Sequence, residues 1–228
     1  MHLLFDDPWL VAVNKPSGLF TQAARGVPSL QQDLSDRYAA DAAAPPPFVG
    51  IVHRLDRPTS GVVVFGRTAA AVKELNDQFR QRTVRKRYLA VLRGEVAAEG
   101  EAEDWMRKIE DVARAELCSR EDAQAKHAKL RWTRLASDAT HSLVEVHLET
   151  GRMHQIRLQF ASRGHAVVGD PLYGPAIDNE PGGGLFGLHA WQLSLRHPKT
   201  AKPLAITAPL PDSWQARFPK LLASAPLA

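Results

Sequence analysis

The sequence predicts an α/β fold of the α+β type, and three stretches carry this prediction. The unbroken apolar run from Val62 to Phe65 is typical of a strand that is covered on both faces. Residues His141 to Thr150 alternate between apolar and polar side chains, which indicates a strand with one face in water. Val72, Leu75 and Phe79 recur at helical spacing and predict a helix that faces a core.

The size and composition of the chain predict a single soluble domain. At 228 residues with 44% apolar residues, the chain can bury a full-sized core without disulfides or a structural metal. No stretch approaches eighteen consecutive apolar residues, and the acidic Asp6 and Asp7 follow closely on Met1. We therefore expect one domain over residues 1–228, in the cytoplasm and not attached to a membrane.

Cysteine and histidine usage argues against a metal centre. The single cysteine, Cys118, excludes an internal disulfide and a cysteine-based zinc cluster, as suits a reducing compartment. The nine histidines include no pair with the spacing of a zinc-protease helix. We assign no metal.

The basic residues of the chain are concentrated in one segment. The formal net charge is only +4, but five of the eight residues from Arg80 to Arg87 are basic and none is acidic. Such a run is often a solvated helix end followed by a linker. In a protein with a pI near 9.4, contact with a nucleic-acid backbone is the competing interpretation. Composition alone leaves both open.

The first third of the chain predicts a hairpin and one helix. Leu3 to Phe5 and Trp9 to Val13 are typical of short strands around the turn Asp6 to Pro8. Residues 21–50 are polar and rich in alanine and proline, and we expect one short helix followed by a surface loop through the run Pro45 to Pro47.

The middle of the chain continues with a capped helix and further strands. Thr68 can cap a helix that runs to about Gln81, and Arg85 to Gly94 predicts a strand with a basic start. Residues 95–125 have few large apolar side chains, and we expect an exposed excursion with weak secondary structure. Lys129 to Leu135 then predicts a strand, which precedes the alternating one described above.

The last third predicts two helices and two strands. A helix that starts after Gly151 would turn Ile156 and Phe160 inward. Leu188 to Pro198 is an alternating strand and its turn, and Pro203 to Thr207 is the last strand. The chain closes with a capped helix over Asp212 to Leu222.

A carboxylate at the entrance to the buried strand is the first candidate for chemistry. Turn residues from Pro58 to Gly61 stand before the apolar run, so that Asp56 is presented where the strand begins. The simpler interpretation is that Asp56 caps the turn or pairs with Arg54 or Arg57. Local sequence does not decide between these roles.

Seven segments carry motifs in a fixed order along the chain: Val13 to Leu19, His53 to Gly61, Lys86 to Gly94, Thr150 to Arg157, Gly164 to His165, Gly169 to Gly174 and Leu188 to Ala190. These motifs resemble those of the RluA family of pseudouridine synthases. The resemblance covers about residues 3–210 and departs from the family pattern at Met153 and Ala166. It implies the pseudouridine synthase fold, a mixed and largely antiparallel sheet flanked by helices and loops.

The resemblance implies a catalytic set. Asp56 is the catalytic carboxylate, and Tyr88 lines the site against the target base. Arg157 is the expected charge partner of Asp56, since a nearby cation favours the ionised form of a carboxylate. The isomerisation exchanges no electrons or groups with other molecules, and we expect no cofactor. Whether Asp56 attacks the sugar, adds to the base or removes a proton stays open.

The resemblance also implies RNA as the partner, namely a tRNA or a stem-loop of large-subunit rRNA bound by a monomer. The start of the matched region leaves no room for the N-terminal S4 domain of many relatives. A buried base must be flipped out of folded RNA, and Arg54 is expected to occupy the space that it leaves. Further RNA-binding residues are expected at Arg85, Lys86, Arg87, Arg152, His154 and Leu188.

Two other functions compete with this interpretation. A non-catalytic RNA-binding or ribosome-assembly factor could keep the fold and the basic surface, but it would be expected to lose Asp56 or Tyr88. A retaining glycoside hydrolase needs a second carboxyl group about 5–5.5 Å from the first. The matched motifs supply no such second acid.

Overall fold

The computed structural model describes residues 1–40, 48–175 and 185–227. The expected loop through Pro45 to Pro47 lies outside the described residues. The strands are β1 (His2–Asp6), β2 (Leu10–Lys15), β3 (Gly50–Ile51), β4 (Ser60–Gly66), β5 (Arg85–Arg93), β6 (Glu99–Lys108), β7 (Ala115–Leu117), β8 (Lys126–Ser137), β9 (His141–Leu148), β10 (Leu188–Arg196) and β11 (Pro203–Thr207). The helices are α1 (Leu30–Ala40), α2 (Ala69–Arg80), α3 (Gln155–Ala161), α4 (Asp212–Arg217) and α5 (Pro219–Ala223). In the described parts of the chain, no helix has the length and apolar content that a membrane crossing requires.

The chain divides into two compact units. The first unit comprises Met1–Lys86 and Ala190–Leu210, and the second comprises Arg87–His189 and Pro211–Ala228. Two of the three boundaries fall inside β5 and β10, and the third lies between β11 and α4. That the whole chain forms one catalytic domain stays a prediction.

The first unit is built on a sheet in the order β1, β2, β4 and β10. The predicted hairpin of β1 and β2 is confirmed, and Asp7 Oδ1 closes its turn by accepting hydrogen bonds from the N–H groups of Trp9 (2.8 Å) and Leu10 (2.9 Å). Strand β2 also pairs antiparallel with β4, while β3 pairs with β4 and β11 with β10. Every residue of β4 is buried, as its apolar run predicts.

Two helices belong to the first unit, and α2 contacts β3 and β4. The short helix predicted within residues 21–50 is α1, which buries Leu30, Leu34 and Tyr38. The predicted cap of α2 is also confirmed, because Thr68 Oγ1 accepts a hydrogen bond of 3.1 Å from the N–H of Ala71.

The buried face of α2 is rotated from the predicted one, so that two of its residues precede the predicted ones by one position. Ala71, Leu75 and Gln78 are buried, whereas Val72 and Phe79 are half-buried. Gln78 faces inward because its side chain donates to the Arg196 carbonyl (2.9 Å) and accepts from the Arg196 N–H (2.9 Å).

The second unit is built on an antiparallel sheet in the order β5, β9, β8, β6 and β7. The prediction of weak secondary structure over residues 95–125 is wrong, since β6 and β7 lie there. Strand β6 buries only the small Ala102 and the flexible Met106 among its ten residues. Its other face pairs charges with β8, for example Glu103 with Lys129 at 3.0 Å. Because β6 is stabilised by charge pairs and by only two buried side chains, its sequence has little of the apolar periodicity that predicts a strand.

One face of this sheet packs against α3. Ile156 and Phe160 point inward as predicted and join a core with residues such as Leu130, Val144 and Val146. The helix begins at Gln155, four residues after Gly151.

The opposite face of β9 is less exposed than its alternating pattern predicts. Leu143 is fully buried and Glu145 is largely buried, and α5 packs on β8 and β9. The predicted C-terminal helix is divided into α4 and α5 at Phe218. Pro219 explains the break, because proline has no N–H to continue a helix and is favoured at the first helical position.

Candidate functional site

Asp56 lies in the loop that leads from β3 to β4, in the first unit. Its carbonyl accepts a hydrogen bond of 3.0 Å from the N–H of Thr59, which forms the turn before β4. The residue is half-buried. The predicted position at the entrance of the buried strand is therefore confirmed.

A second loop, residues 15–21, clamps the loop that carries Asp56. Thr21 Oγ1 accepts a hydrogen bond from the N–H of Leu55 (3.1 Å) and donates to the Leu55 carbonyl (3.2 Å). The N–H of Gly18 donates to the Arg57 carbonyl (2.9 Å), and Arg57 Nε donates to the Gly18 carbonyl (2.9 Å). These bonds act on the residues on both sides of Asp56, so its backbone is held in place.

Lys15 adds a buried charge to this clamp. The side chain is 0% exposed, and its Nζ donates to the carbonyl groups of Pro16 (2.9 Å), Leu19 (2.7 Å) and Arg57 (3.0 Å). Burial lowers the pKa of Lys15 to about 7, while the charge of Asp56 raises it. Lys15 thus joins the two loops and acts electrostatically on Asp56. The sequence analysis quoted Lys15 within a motif but gave it no role.

His53 ties the start of the same loop to β4. Its Nε2 accepts a hydrogen bond of 2.9 Å from the N–H of Val64, and its ring stacks on Phe79 with 4.8 Å between centroids. Burial lowers the pKa of His53 to about 3, and the charge of Lys86 lowers it further. His53 is therefore a neutral acceptor that fixes the loop three residues before Asp56.

Gly61, at the start of β4, allows this strand to approach β10 closely. A Cβ atom at this position would lie 2.2 Å from the carbonyl oxygen of Ala190 in β10, and the residue has a φ of +112°. Only glycine combines this backbone angle with so close an approach of two chains.

In the second unit, Arg157 is held by Asp170. Arg157 Nε donates to Oδ2 of Asp170 and Nη2 donates to Oδ1, each over 2.8 Å, and the two side chains are 2% and 0% exposed. The guanidinium also lies over the rings of Tyr173 (5.2 Å) and Phe186 (5.3 Å). Arg157 is therefore a buried residue of α3. Its expected partnership with Asp56 stays a prediction.

Asp170 is fixed by more than its arginine. Its Oδ1 also accepts hydrogen bonds from the N–H groups of Leu172 (2.9 Å) and Tyr173 (3.2 Å). Burial by itself would raise the pKa of Asp170, but the bonds and charge of Arg157 and these backbone donors hold it below its ordinary value. The carboxylate therefore stays charged opposite Arg157.

His154, an expected RNA-binding residue, is largely buried. The side chain is only 8% exposed, and Nδ1 lies 2.9 Å from Oη of Tyr173. The Tyr173 hydroxyl in turn accepts from the N–H of Ala115 (2.8 Å) and donates to its carbonyl (3.1 Å). His154 therefore joins the start of α3 to β7, and its expected contact with RNA stays a prediction.

Tyr88 and Leu188 meet in one cluster of the second unit. Leu188 is buried in the core around Ile156, and the half-buried Tyr88 packs against the same core. The expected contact of Leu188 with RNA is limited by this burial. Tyr88 keeps part of its surface in solvent.

The expected basic RNA-binding residues differ in how far their charges are compensated. Arg54 and Arg85 are exposed, and Lys86 is half-buried. Arg87 Nη2 donates to Oε2 of Glu145 over 2.8 Å, and Arg87 Nε donates to Oε1.

Arg152 donates a hydrogen bond to a backbone carbonyl group. It is half-buried, and its Nε donates to the His127 carbonyl over 2.8 Å. The expected contacts of Arg54, Arg85, Arg87 and Arg152 with RNA stay predictions.

The catalytic and RNA-binding residues expected from sequence are divided between the units. Asp56 and Arg54 belong to the first unit, whereas Tyr88, Arg157 and Leu188 belong to the second.

Residues 9–162 match the family model described as RNA pseudouridylate synthase, and the chain belongs to this family.

Two relatives show equal sequence identity to this chain, but the chain covers different shares of their lengths. The tRNA pseudouridine synthase C of Salmonella typhi is 33% identical over 94% of this chain and 87% of its own length. The ribosomal large subunit pseudouridine synthase D of Nitrosomonas europaea is 33% identical over 95% of this chain, which spans 64% of the relative's length.

A solved structure has the same fold. The human RNA pseudouridylate synthase domain containing 4 matches with a TM-score of 0.79 at 23% identity, over 97% of this chain and 93% of that one. The predicted pseudouridine synthase fold is thereby confirmed.

Proposed function

We propose that the chain is an RNA pseudouridine synthase, an isomerase that converts specific uridines of structured RNA to pseudouridine with Asp56 as its catalytic carboxylate. The observation that carries the proposal is the clamped loop around Asp56. A carboxylate whose neighbours Leu55 and Arg57 are bonded to a second loop is held ready for a reaction that needs it at a fixed place. Family membership supplies the reaction.

The reaction balances without another reactant. The bond between N1 of the base and C1′ of the sugar breaks, the uracil turns, and C5 bonds to C1′. The proton at C5 is released, and N1 gains one. Such a reaction needs a carboxylate near the sugar, a surface that holds the detached base, and a group that removes the proton.

The roles of the other residues are carried over from the family motifs. Tyr88 stacks on the base and assists removal of the proton at C5. Arg157 acts as the charge partner of Asp56, and its buried pair with Asp170 holds the guanidinium at one place. Arg54 occupies the space of the flipped base, for which its exposure is suitable.

We favour tRNA over large-subunit rRNA as the substrate. The chain is equally identical to a tRNA and an rRNA relative, but it covers 87% of the former and 64% of the latter. A short stem-loop of tRNA can be recognised through its shape and its unpaired bases.

Release of tritium tests the activity. RNA transcribed with uridine labelled at C5 is incubated with the wild type or with the Asp56→Asn variant, and the label that enters water is counted. We expect release by the wild type and none above background by the variant, because asparagine keeps the size but removes the charge. Equal urea midpoints would show that the variant is folded. Turnover by the variant near the wild-type rate would remove Asp56 from the mechanism.

Mapping of pseudouridine in cells tests the substrate. Carbodiimide-dependent stops of reverse transcription are compared in cells with and without the gene. We expect a lost stop in a tRNA. A lost stop confined to rRNA would overturn the choice of tRNA, and no lost stop in any RNA would favour the non-catalytic function.

A further inference from the structure

An exposed aromatic ring stands next to the loop that carries Asp56. Phe20 is 37% exposed, and the guanidinium of Arg57 lies over its ring with 5.0 Å from Cζ to the ring centroid. Both residues belong to the first unit. Because Arg57 follows Asp56 directly, their Cα atoms are about 3.8 Å apart.

The backbone around Phe20 is fixed on both sides. The carbonyl of Leu19 accepts from Lys15 Nζ, and the side chain of Thr21 is bonded to Leu55. The Phe20 carbonyl itself accepts a hydrogen bond of 2.8 Å from the N–H of Leu30. An aromatic side chain held in this way loses little conformational entropy when a ligand binds.

The arginine of this pair is also fixed. Arg57 is exposed, and its Nε donates to the Gly18 carbonyl over 2.9 Å, which orients the plane of the guanidinium. Aromatic rings and guanidinium planes are the surfaces on which proteins stack unpaired bases of RNA. The positive charge also suits a phosphate.

We propose that Phe20 and Arg57 form a stacking platform for an unpaired nucleobase of the RNA substrate, beside Asp56. The inference rests on the proposed function, since it takes the RNA to be a substrate. The platform would hold a nucleotide that neighbours the target uridine along the strand. It would thereby help select sites in which that neighbour is unpaired.

Binding of a short single-stranded oligouridylate tests the platform. The oligonucleotide carries a fluorescein label, and its dissociation constant is measured by anisotropy for the wild type and each variant. Stacking of one base on an aromatic side chain is worth roughly a 5- to 150-fold change in affinity. We expect Phe20→Ala and Phe20→Leu to weaken binding by such a factor, and Phe20→Tyr to bind within about twofold of the wild type.

Phe48→Ala is the matched control. Phe48 is also a surface phenylalanine of the first unit, with 52% exposure. We expect this control to bind like the wild type. The Leu and Tyr variants at position 20 keep the side-chain bulk, so a general loss of folding cannot imitate the difference between them. Wild-type affinity in Phe20→Leu, an equal loss in Phe48→Ala, or no binding by the wild type would each overturn the platform.

Arg57 is tested through the salt dependence of binding. Arg57→Gln is expected to flatten the slope of log affinity against log salt by about 0.7, the value for one phosphate contact on a single strand. Phe20→Leu should leave the slope unchanged. A salt slope and an affinity in Arg57→Gln that both equal those of the wild type would remove Arg57 from the platform.

Tritium release by the same wild-type preparation separates this inference from the proposed function. Release together with wild-type affinity in Phe20→Leu would overturn the platform and keep the enzyme. No release, together with a difference between Phe20→Leu and Phe20→Tyr in binding, would overturn the enzyme and keep the platform as an RNA-binding surface.

Discussion

Arg157 and Asp170 form a buried ion pair with two parallel hydrogen bonds of 2.8 Å. Removal of one partner from such a pair leaves an uncompensated charge in the protein interior. Asp170→Asn is therefore expected to lower the free energy of unfolding by about 3–5 kcal/mol. Urea unfolding at neutral pH measures the loss.

The exposed pair of Arg80 and Asp77 provides the control for that prediction. Its side chains are 74% and 29% exposed, and Asp77→Asn should cost less than about 1 kcal/mol. Equal losses in the two variants would contradict the importance of burial.

The pair of Arg157 and Asp170 should also depend on pH. The folded state holds the pKa of Asp170 below its ordinary value, so this pair stabilises the fold above about pH 4 and loses this effect as the pH falls further. The difference in unfolding free energy between the wild type and Asp170→Asn should therefore become smaller as the pH falls below about 4.

Lys15 should make the stability of the protein rise with pH. Its pKa is lowered to about 7 in the folded state from 10.5, so between these values the unfolded chain binds more protons than the folded one. The difference in unfolding free energy between the wild type and Lys15→Met should therefore grow with pH, at up to about 1.4 kcal/mol per unit. Urea unfolding at several pH values from neutral to alkaline measures it. A constant difference would mean that burial does not lower the pKa of Lys15.

Gly61→Ala should be far more harmful than Gly18→Ala. At Gly61 a Cβ would meet the Ala190 backbone at 2.2 Å, whereas at Gly18, with φ of +86°, a Cβ would meet nothing within 4 Å. We expect a loss of about 3 kcal/mol or more for Gly61→Ala, and about 1–2 kcal/mol for Gly18→Ala from its backbone angle alone. Similar urea midpoints for the two variants would refute the role of close approach.

Arg85 and Arg87 should differ in their effects although they are near neighbours in the chain. Arg85 is exposed, and Arg85→Ala should flatten the salt dependence of RNA binding by somewhat under one unit, about 0.7–0.9. Arg87 is bonded to the largely buried Glu145, and Arg87→Ala should instead lower stability by about 1–3 kcal/mol. Filter binding over a range of salt concentrations, together with urea unfolding, compares them. An equal change of slope in both variants would contradict the assignment.

The elements that were predicted correctly have local signals. The apolar run of β4 and the cap of α2 at Thr68 can each be recognised within a few residues. Strand β6 could not be recognised in this way, because it is stabilised by charge pairs with β8 and by only two buried side chains. Such pairing joins residues that are distant in sequence.

In the candidate site, too, only the features with a local signal were predicted from the sequence. The motifs placed Asp56 at the start of a buried strand, and the structure has it there. The burial of Arg157 was missed because its partner, Asp170, lies thirteen residues away and meets it only in the folded chain. The role of Lys15 was missed because a lysine is normally exposed, and only the three carbonyl groups around its Nζ explain its burial. The motif residues Asn14-Lys15-Pro16 and Gly169-Asp170 were the available signals.

The clamp around Asp56 also offers a way to capture the natural RNA. The hydrogen bonds described for the clamp end on Leu55 and Arg57, so Asp56→Asn leaves each of them in place. The variant should therefore keep the shape that recognises RNA while the reaction stops. Expressed with an affinity tag and crosslinked in living cells, it would retain the transcript that the active protein releases, and sequencing of the retained RNA would identify the uridine.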